Sequence, residues 1–207
     1  MAITNGYTDL ATFYQRFYTL QGTEESNESD TALESVIEGV SRAIDHICNR
    51  RFYVASETRY YTARDYRQVF TDDFTGITAL KTDDDDDATY ENTWTTSDYH
   101  TMPINAALDG EPYTWLRITS NGSYTFPKNI KGISLQATFG YSATTPAVVA
   151  EACLLGSAQV FKRKDAVYGV AGTNALGLLQ VIEGELRRDA HFMWLLSDVM
   201  RAGIGDL

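Results

Sequence analysis

Two periodicities divide this chain. Thr8 or Asp9 is placed to cap a short first helix carrying Leu10, Phe13, Tyr14 and Phe17 at helical spacing. A polar, acidic stretch, QGTEESNESD, reads as a loop, after which Ser29 or Asp30 caps a second helix. Its apolar positions, Leu33, Val36, Ile37, Val40, Ala43, Ile44 and Ile47, recur by threes and fours. Burying the larger of these at about 1.5–3 kcal/mol each exceeds anything intrinsic propensity supplies, so this helix packs on a core. Arg50 and Arg51 follow, where positive charge suits the end of a helix dipole.

From Phe52 to about Thr145 the period drops to two. In GISLQATFGYS, Ile133, Leu135, Ala137 and Phe139 alternate with Ser134, Gln136 and Thr138, which predicts a strand with one buried face. Further strands are expected at Arg59–Thr62, Gln68–Thr71, Ile77–Lys81, Thr89–Thr95 and Thr114–Thr119, with Asn121-Gly122 as a hairpin turn. Together these read as an antiparallel, meander-like sheet. Pro146 then opens a third helix, AVVAEACLLGSAQVF, apolar nearly all round and studded with small residues, as a central helix would be. YGVAGTNALG reads as a loop, and Leu178–Leu186 fits an extended or a helical segment equally. Asp189 caps a last helix carrying Phe192, Trp194, Leu195, Leu196 and Val199, stopped by Gly203 and Gly205.

The expected fold class is therefore α+β. A bundle of about four helices is drawn from the two chain ends, 1–54 plus 146–207, with a large antiparallel β-rich insertion at 55–145. Composition narrows the function. Apolar residues make up 43% of 207, enough for a real core, and 13 tyrosines favour sheet structure or extensive interfaces. A net charge of -11 argues against a sequence-reading DNA binder. No apolar run approaches the ~18 residues of a membrane span, and MAITNGYTDL lacks the pattern of a secretion signal. Cys48 and Cys153 both fall in helical patterns among apolar neighbours, as buried, reduced thiols made in a cytoplasm would.

Candidate chemistry is sparse. Asp83–Asp87 is a run of five aspartates. Asp83, Asp85 and Asp87, with Glu91, begin like a calcium loop, but Ala88 stands at the turn glycine and Trp94 at the bidentate acid. A solvated hairpin tip is the plainer reading. His46, His100 and His191 form no HExxH pair, and Cys48 lies two residues from His46, on another helix face. There is no GxSxG elbow, phosphate loop or dinucleotide fingerprint. No catalytic residue and no cofactor is expected.

The opening residues MAITNGYTDLATFYQ, the acidic loop and DTALESVIEGVSRAIDHICNRRFY resemble the start of head–tail connector (adaptor) proteins of long-tailed bacteriophages. In that family the long helix ends in a Cys-x-Arg-x-Phe-like signature, here Cys48, Arg50 (or Arg51) and Phe52. VVAEACLLGSAQVFKRKDA is similar to the family's central helix and LRRDAHFMWLLSDVMR to its last. The resemblance covers roughly half the chain, at both ends. It implies a non-enzymatic virion protein at the head–tail junction, forming twelve-fold rings below the portal. Such a ring extends a channel through which double-stranded DNA passes without sequence-specific binding, and it offers a platform for the next neck, stopper or tail protein. It also implies that the C-terminal segment, with Met200, Arg201, Ile204 and Leu207, docks on the portal, with Arg50 and Arg51 structural or intersubunit. The alternative is a tail or baseplate module gripping a host glycan through exposed Trp94, Tyr99, Tyr113 and Trp115, although sheet core or inter-subunit contact is the plainer reading of most of these.

Overall fold

The computed structural model describes residues 3–17, 30–162, 170–173, 179–181 and 186–201. The chain forms two compact units. One is built from the residues up to Asn49 together with those from Thr145 onward, and the other is Arg50–Thr144. Arg50–Val54, grouped with the helices by the sequence pattern, thus belong to the second unit.

In the helical unit, α1 (Leu10–Phe17) is opened by Asp9, whose carboxylate accepts the Thr12 N–H at 2.7 Å. The period of α2 (Asp30–Cys48) buries Leu33, Ile37, Val40 and Ile44. The same stripe seats Ser41, whose hydroxyl donates to the Ile37 carbonyl at 2.7 Å. In α4 (Ala147–Lys162) the Pro146 carbonyl accepts the first helical N–H groups, from Val149 and Ala150. This helix buries residues on nearly every side, Val149, Cys153, Leu154, Gly156, Ser157 and Phe161 among them. An all-round apolar helix has no wet face to present, so it sits at the centre.

Gly156 marks the tightest approach. A Cβ there would lie 3.0 Å from a Val40 methyl and 3.1 Å from the Phe192 ring, so α2 and α5 (Ala190–Leu196) both press on its small surface. Asp189 caps α5 by accepting the Phe192 N–H at 2.9 Å. The helix stops at Leu196, and a 3₁₀ turn carries the chain to Val199, so the final helix ends well before Gly203 and Gly205, which lie outside the described residues. In place of the expected glycine loop, the chain forms a two-stranded hairpin, β7 (Val170–Thr173) with β8 (Leu179–Val181). Part of Leu178–Leu186 is thereby extended.

Asp189 offers a direct check. The Phe192 N–H, then Gln159, hold its carboxyl below the ordinary carboxylate value of 3.8. A depressed native pKa stabilises the fold above 3.8, and that contribution is lost as pH falls through the native value. Asp189→Ala is expected to lower stability by about 0.5–2 kcal/mol at neutral pH. The difference from the native chain should be full at pH 7 and shrink progressively as pH falls below 3.8, which urea titrations at a series of acid pH values would read.

In the β unit, β1 (Ala55–Tyr61), β2 (Gln68–Thr82), β3 (Asn92–Thr93), β4 (Tyr99–Met102), β5 (Tyr113–Ile118) and β6 (Ile133–Phe139) form one antiparallel sheet. The order is β1-β6-β2-β5-β4, with β3 paired to the end of β2. This is not the meander expected, because β6 inserts between β1 and β2 and the consecutive β5 and β6 are not neighbours. Asn121-Gly122 is accordingly not a two-residue hairpin. Gly122 is required there because a Cβ would sit 2.8 Å from the Asp98 carbonyl.

The two strands expected at Gln68–Thr71 and Ile77–Lys81 are one long β2. Its first half pairs with β5 and its second with β6, and irregularities near Phe74 shift the register between them. The residues these pairings turn to one side, Val69, Phe74, Leu80, Leu116, Ile133, Leu135, Ala137 and Phe139, form a core closed by Trp94 and Phe126. Strand β4 and the short α3 (Ala106–Asp109) have no counterpart among the expected elements.

Candidate functional site

The aspartate run occupies the loop joining β2 to β3. Asp83 is buried rather than solvated, and its side chain builds the loop: its carboxylate accepts the Asp86 N–H at 2.8 Å and the Ala88 N–H at 2.9 Å. Its own N–H donates to Gly132, and the Asn129 amide donates to its carbonyl. Asp86 and Ala88 take left-handed backbone (φ 66° and 68°) to close the turn. One carboxylate oxygen from each of Asp83, Asp85, Asp87 and Glu91 falls within 4.8 Å of the others. The fold thus gathers the four acids named from spacing, an all-oxygen set of the kind suited to a hard divalent cation rather than zinc.

The three histidines are exposed, and among the described residues none joins a metal-sized cluster. His191 instead stacks on Trp194 at 5.8 Å between ring centroids. Cys48 and Cys153 are buried and not joined in a disulfide. Burial pushes the Cys153 thiol up, against weaker opposing hydrogen bonds from Ser41 and Ser157, so it is a poor nucleophile.

Arg50 and Arg51 do not serve as the last turn of α2, which ends at Cys48. Both guanidiniums are engaged inside the β unit. Arg50 Nε lies 2.9 Å from the buried Asp73 carboxylate, with the guanidinium over the Tyr141 ring at 4.9 Å. Arg51 meets Glu57 at 2.7 Å, donates to the Phe139 carbonyl at 2.9 Å and covers the Tyr53 ring. Hydrogen bonding from Arg51, then from Arg59, holds the Glu57 carboxyl below its ordinary value, against partial burial.

Of the aromatics that the glycan alternative needs exposed, Trp94 and Tyr99 are core residues at 5% and 9% exposure. Trp94 stacks on Phe126 at 4.7 Å and 9°, and its indole N–H donates to Thr82 Oγ1. Neither can serve as a sugar platform, which removes half of the expected glycan surface. Tyr113 and Trp115 are half-buried, against Phe74 and Phe70. The aromatics in the open are others: Phe70 at 57%, Tyr66 at 55%, Tyr60 at 52% and, on α5, Trp194 at 68%. Trp194, an apolar helix position in the sequence pattern, faces water instead.

At the chain's end, the Met200 N–H donates to Leu196 and the Arg201 N–H to Cys48, which ties this segment into the helical unit. Ile204 and Leu207 lie outside the described residues. Among the described residues no helix is long and apolar enough to cross a membrane.

No protein-family model matches the chain, and no curated protein matches it in sequence. Its fold, however, recurs in solved structures over nearly its whole length. A chain in the neck of an empty GTA particle computed with C6 symmetry superposes with a TM-score of 0.60 at 18% identity, covering 99% of this chain and 94% of that one. One in the neck of a native GTA particle computed with C12 symmetry gives 0.58 at 16%, again over 99% and 94%. One in the virion of a native gene transfer agent particle gives 0.61 at 17%, over 94% and 89%. These neighbours are neck and virion proteins of a phage-like particle, and at such identities the likeness is one of fold.

Proposed function

We propose that this chain is a structural protein of the neck of a phage-like particle: a head–tail connector that forms a ring below the portal. The observation that carries this reading is the near full-length correspondence of both units with chains of neck assemblies that have C6 and C12 symmetry. A domain borrowed for another purpose would match in one unit only. The surplus of acid over base suits the role, because a bore rich in lysine and arginine would grip the phosphates of passing DNA. The proposed site is the virion's head–tail junction, after synthesis in the host cytoplasm. The proposed partners are about twelve copies of the chain itself, the portal, the next neck, stopper or tail protein, and DNA in transit.

Electron microscopy of purified chain mixed with portal rings tests the reading: a second tier of density below the portal is expected. Portals that stay bare at saturating chain concentration would reject it. A continuous arginine–lysine stripe around the bore of the assembled ring would reject the DNA-channel part alone. The C-terminal segment is the proposed portal contact. Deleting the residues after Arg201 should abolish co-sedimentation with portal rings and leave the thermal melt unchanged. Retained binding would move the contact elsewhere.

A further inference from the structure

Across β2, β5 and β4 the pleat separates two faces. Val69 and Leu116, opposite each other, point into the core. The residues on either side of them point outward in two rows. One row is Phe70–Trp115–Met102 and the next is Gln68–Arg117–His100, each read directly from the strand register. The first is an apolar stripe on a wet surface: Phe70 is more than half exposed and touches Trp115, and two residues past Met102 Ile104 is 66% exposed. The second row carries one cation, Arg117, and the turn leading into β2 adds exposed Arg64 and Arg67 on either side of exposed Asp65. Among the described residues, none of Arg64, Arg67 and Arg117 has a carboxylate at ion-pair distance. Across the chain acids outnumber bases 28 to 17, for a net charge of -11.

We propose that this outer face of β2–β5–β4 is a contact between neighbouring copies of the chain, and that its counterpart on the next copy is the exposed part of the aspartate loop, Asp84–Asp87. The inference rests on the ring reading and specifies how that ring is held together. Two aromatic side chains of roughly 150–250 Å² each supply an apolar centre, not the roughly 800 Å² per partner of a standard interface. The remainder must be polar and charged, which is what the arginine row provides. An acidic copy of the same chain is the partner whose charge fits it. Tyr66, between Arg64 and Arg67, lines one depression with Asp84, Asp85 and Asp86. The head-to-tail sense is therefore set by Phe70, Trp115 and Arg117, which lie on the first half of β2 and on β5 and not in the loop after β2. A contact of that kind closes into a ring and not into a two-fold pair.

Charge reversal tests it on the full-length chain. Sedimentation velocity from micromolar to millimolar concentration should show self-association that weakens with added salt. Phe70→Asp, Arg117→Glu and a loop variant with Asp84, Asp85 and Asp87 changed to Lys should each raise the concentration needed by at least tenfold, with thermal melts like the native chain's. Mixing an Arg64→Glu/Arg67→Glu/Arg117→Glu variant with the loop variant should restore association, since each variant then meets opposite charge on both of its surfaces. If the single variants associate as the native chain does, this contact is wrong while the ring reading stands. If the mixture fails to associate, the loop is not the counterpart. A native chain that stays monomeric throughout overturns this contact and counts against the ring as well.

Discussion

Replacing Gly140 by alanine is expected to unfold the β unit or come close to it. Gly140 follows β6 at φ +132°, a backbone region that side-chain-bearing residues rarely enter. A Cβ there would lie 2.1 Å from the Tyr53 carbonyl oxygen and 2.8 Å from its carbon. The obstacle is backbone, so no rotamer change relieves it. Nor can the position swing away: its N–H donates to Asp73 and the next N–H, of Tyr141, donates to Arg51, both at 2.8 Å. Backbone strain of about 1–3 kcal/mol and a forced overlap of about 1–3 kcal/mol together take much of the ~5–15 kcal/mol that typically holds a domain. Gly39, exposed on α2 with nothing within 4 Å of where a Cβ would stand, is the control. Gly39→Ala should stabilise by about 0.5–1 kcal/mol. Urea unfolding followed by tryptophan fluorescence separates the two. A Gly140→Ala chain within about 1 kcal/mol of native would show that the β1–β6 end yields easily.

The contrast between these glycines shows what a sequence discloses and what it hides. Helix α2 is legible because its buried positions repeat at a fixed interval, and β6 because Ile133, Leu135, Ala137 and Phe139 all face the core. The interrupted pattern of β2 misleads. Asp72, Asp73 and Gly76 look like a break between strands, yet the strand runs through them. The acid that breaks the pattern is buried because Arg50, distant in sequence, supplies its countercharge. A pairing of that separation leaves no periodic trace. Sheet order escapes for the same reason: β6 joins β1 and β2 after a long excursion, and nothing local to Ile133 says so.

The candidate surfaces divide in the same way. The four acids of the aspartate loop can be named from spacing, since a loop's ligands are close in sequence as well as in space. The outer face of β2–β5–β4 cannot, since Phe70, Trp115 and Met102 meet only through register. Trp94 falls in an expected strand but follows a polar run, so its sequence leaves core and surface both open. In the fold it fills the core beside Phe126, and Thr82 accepts its indole N–H.

Removing Arg50 should be the most damaging change to any charged residue in the β unit. Asp73 is 4% exposed and the Arg50 side chain 13%, so neither charge can recover its hydration by a small movement. Arg50→Ala leaves the carboxylate without the cation that offsets its desolvation, a loss of about 3–5 kcal/mol. Arg50→Lys should fall between native and alanine. An ammonium keeps the charge but loses the planar stack over Tyr141 and the reach of a guanidinium fork. The decisive comparison is with Arg50→Ala/Asp73→Ala. Removing both charges should cost less than the sum of the single losses, because no orphaned ion remains. If urea unfolding gives additive losses, the two residues act independently and the pair is incidental to the fold. Sub-additive losses would mark Arg50 as the countercharge that lets β2 run unbroken through Asp73.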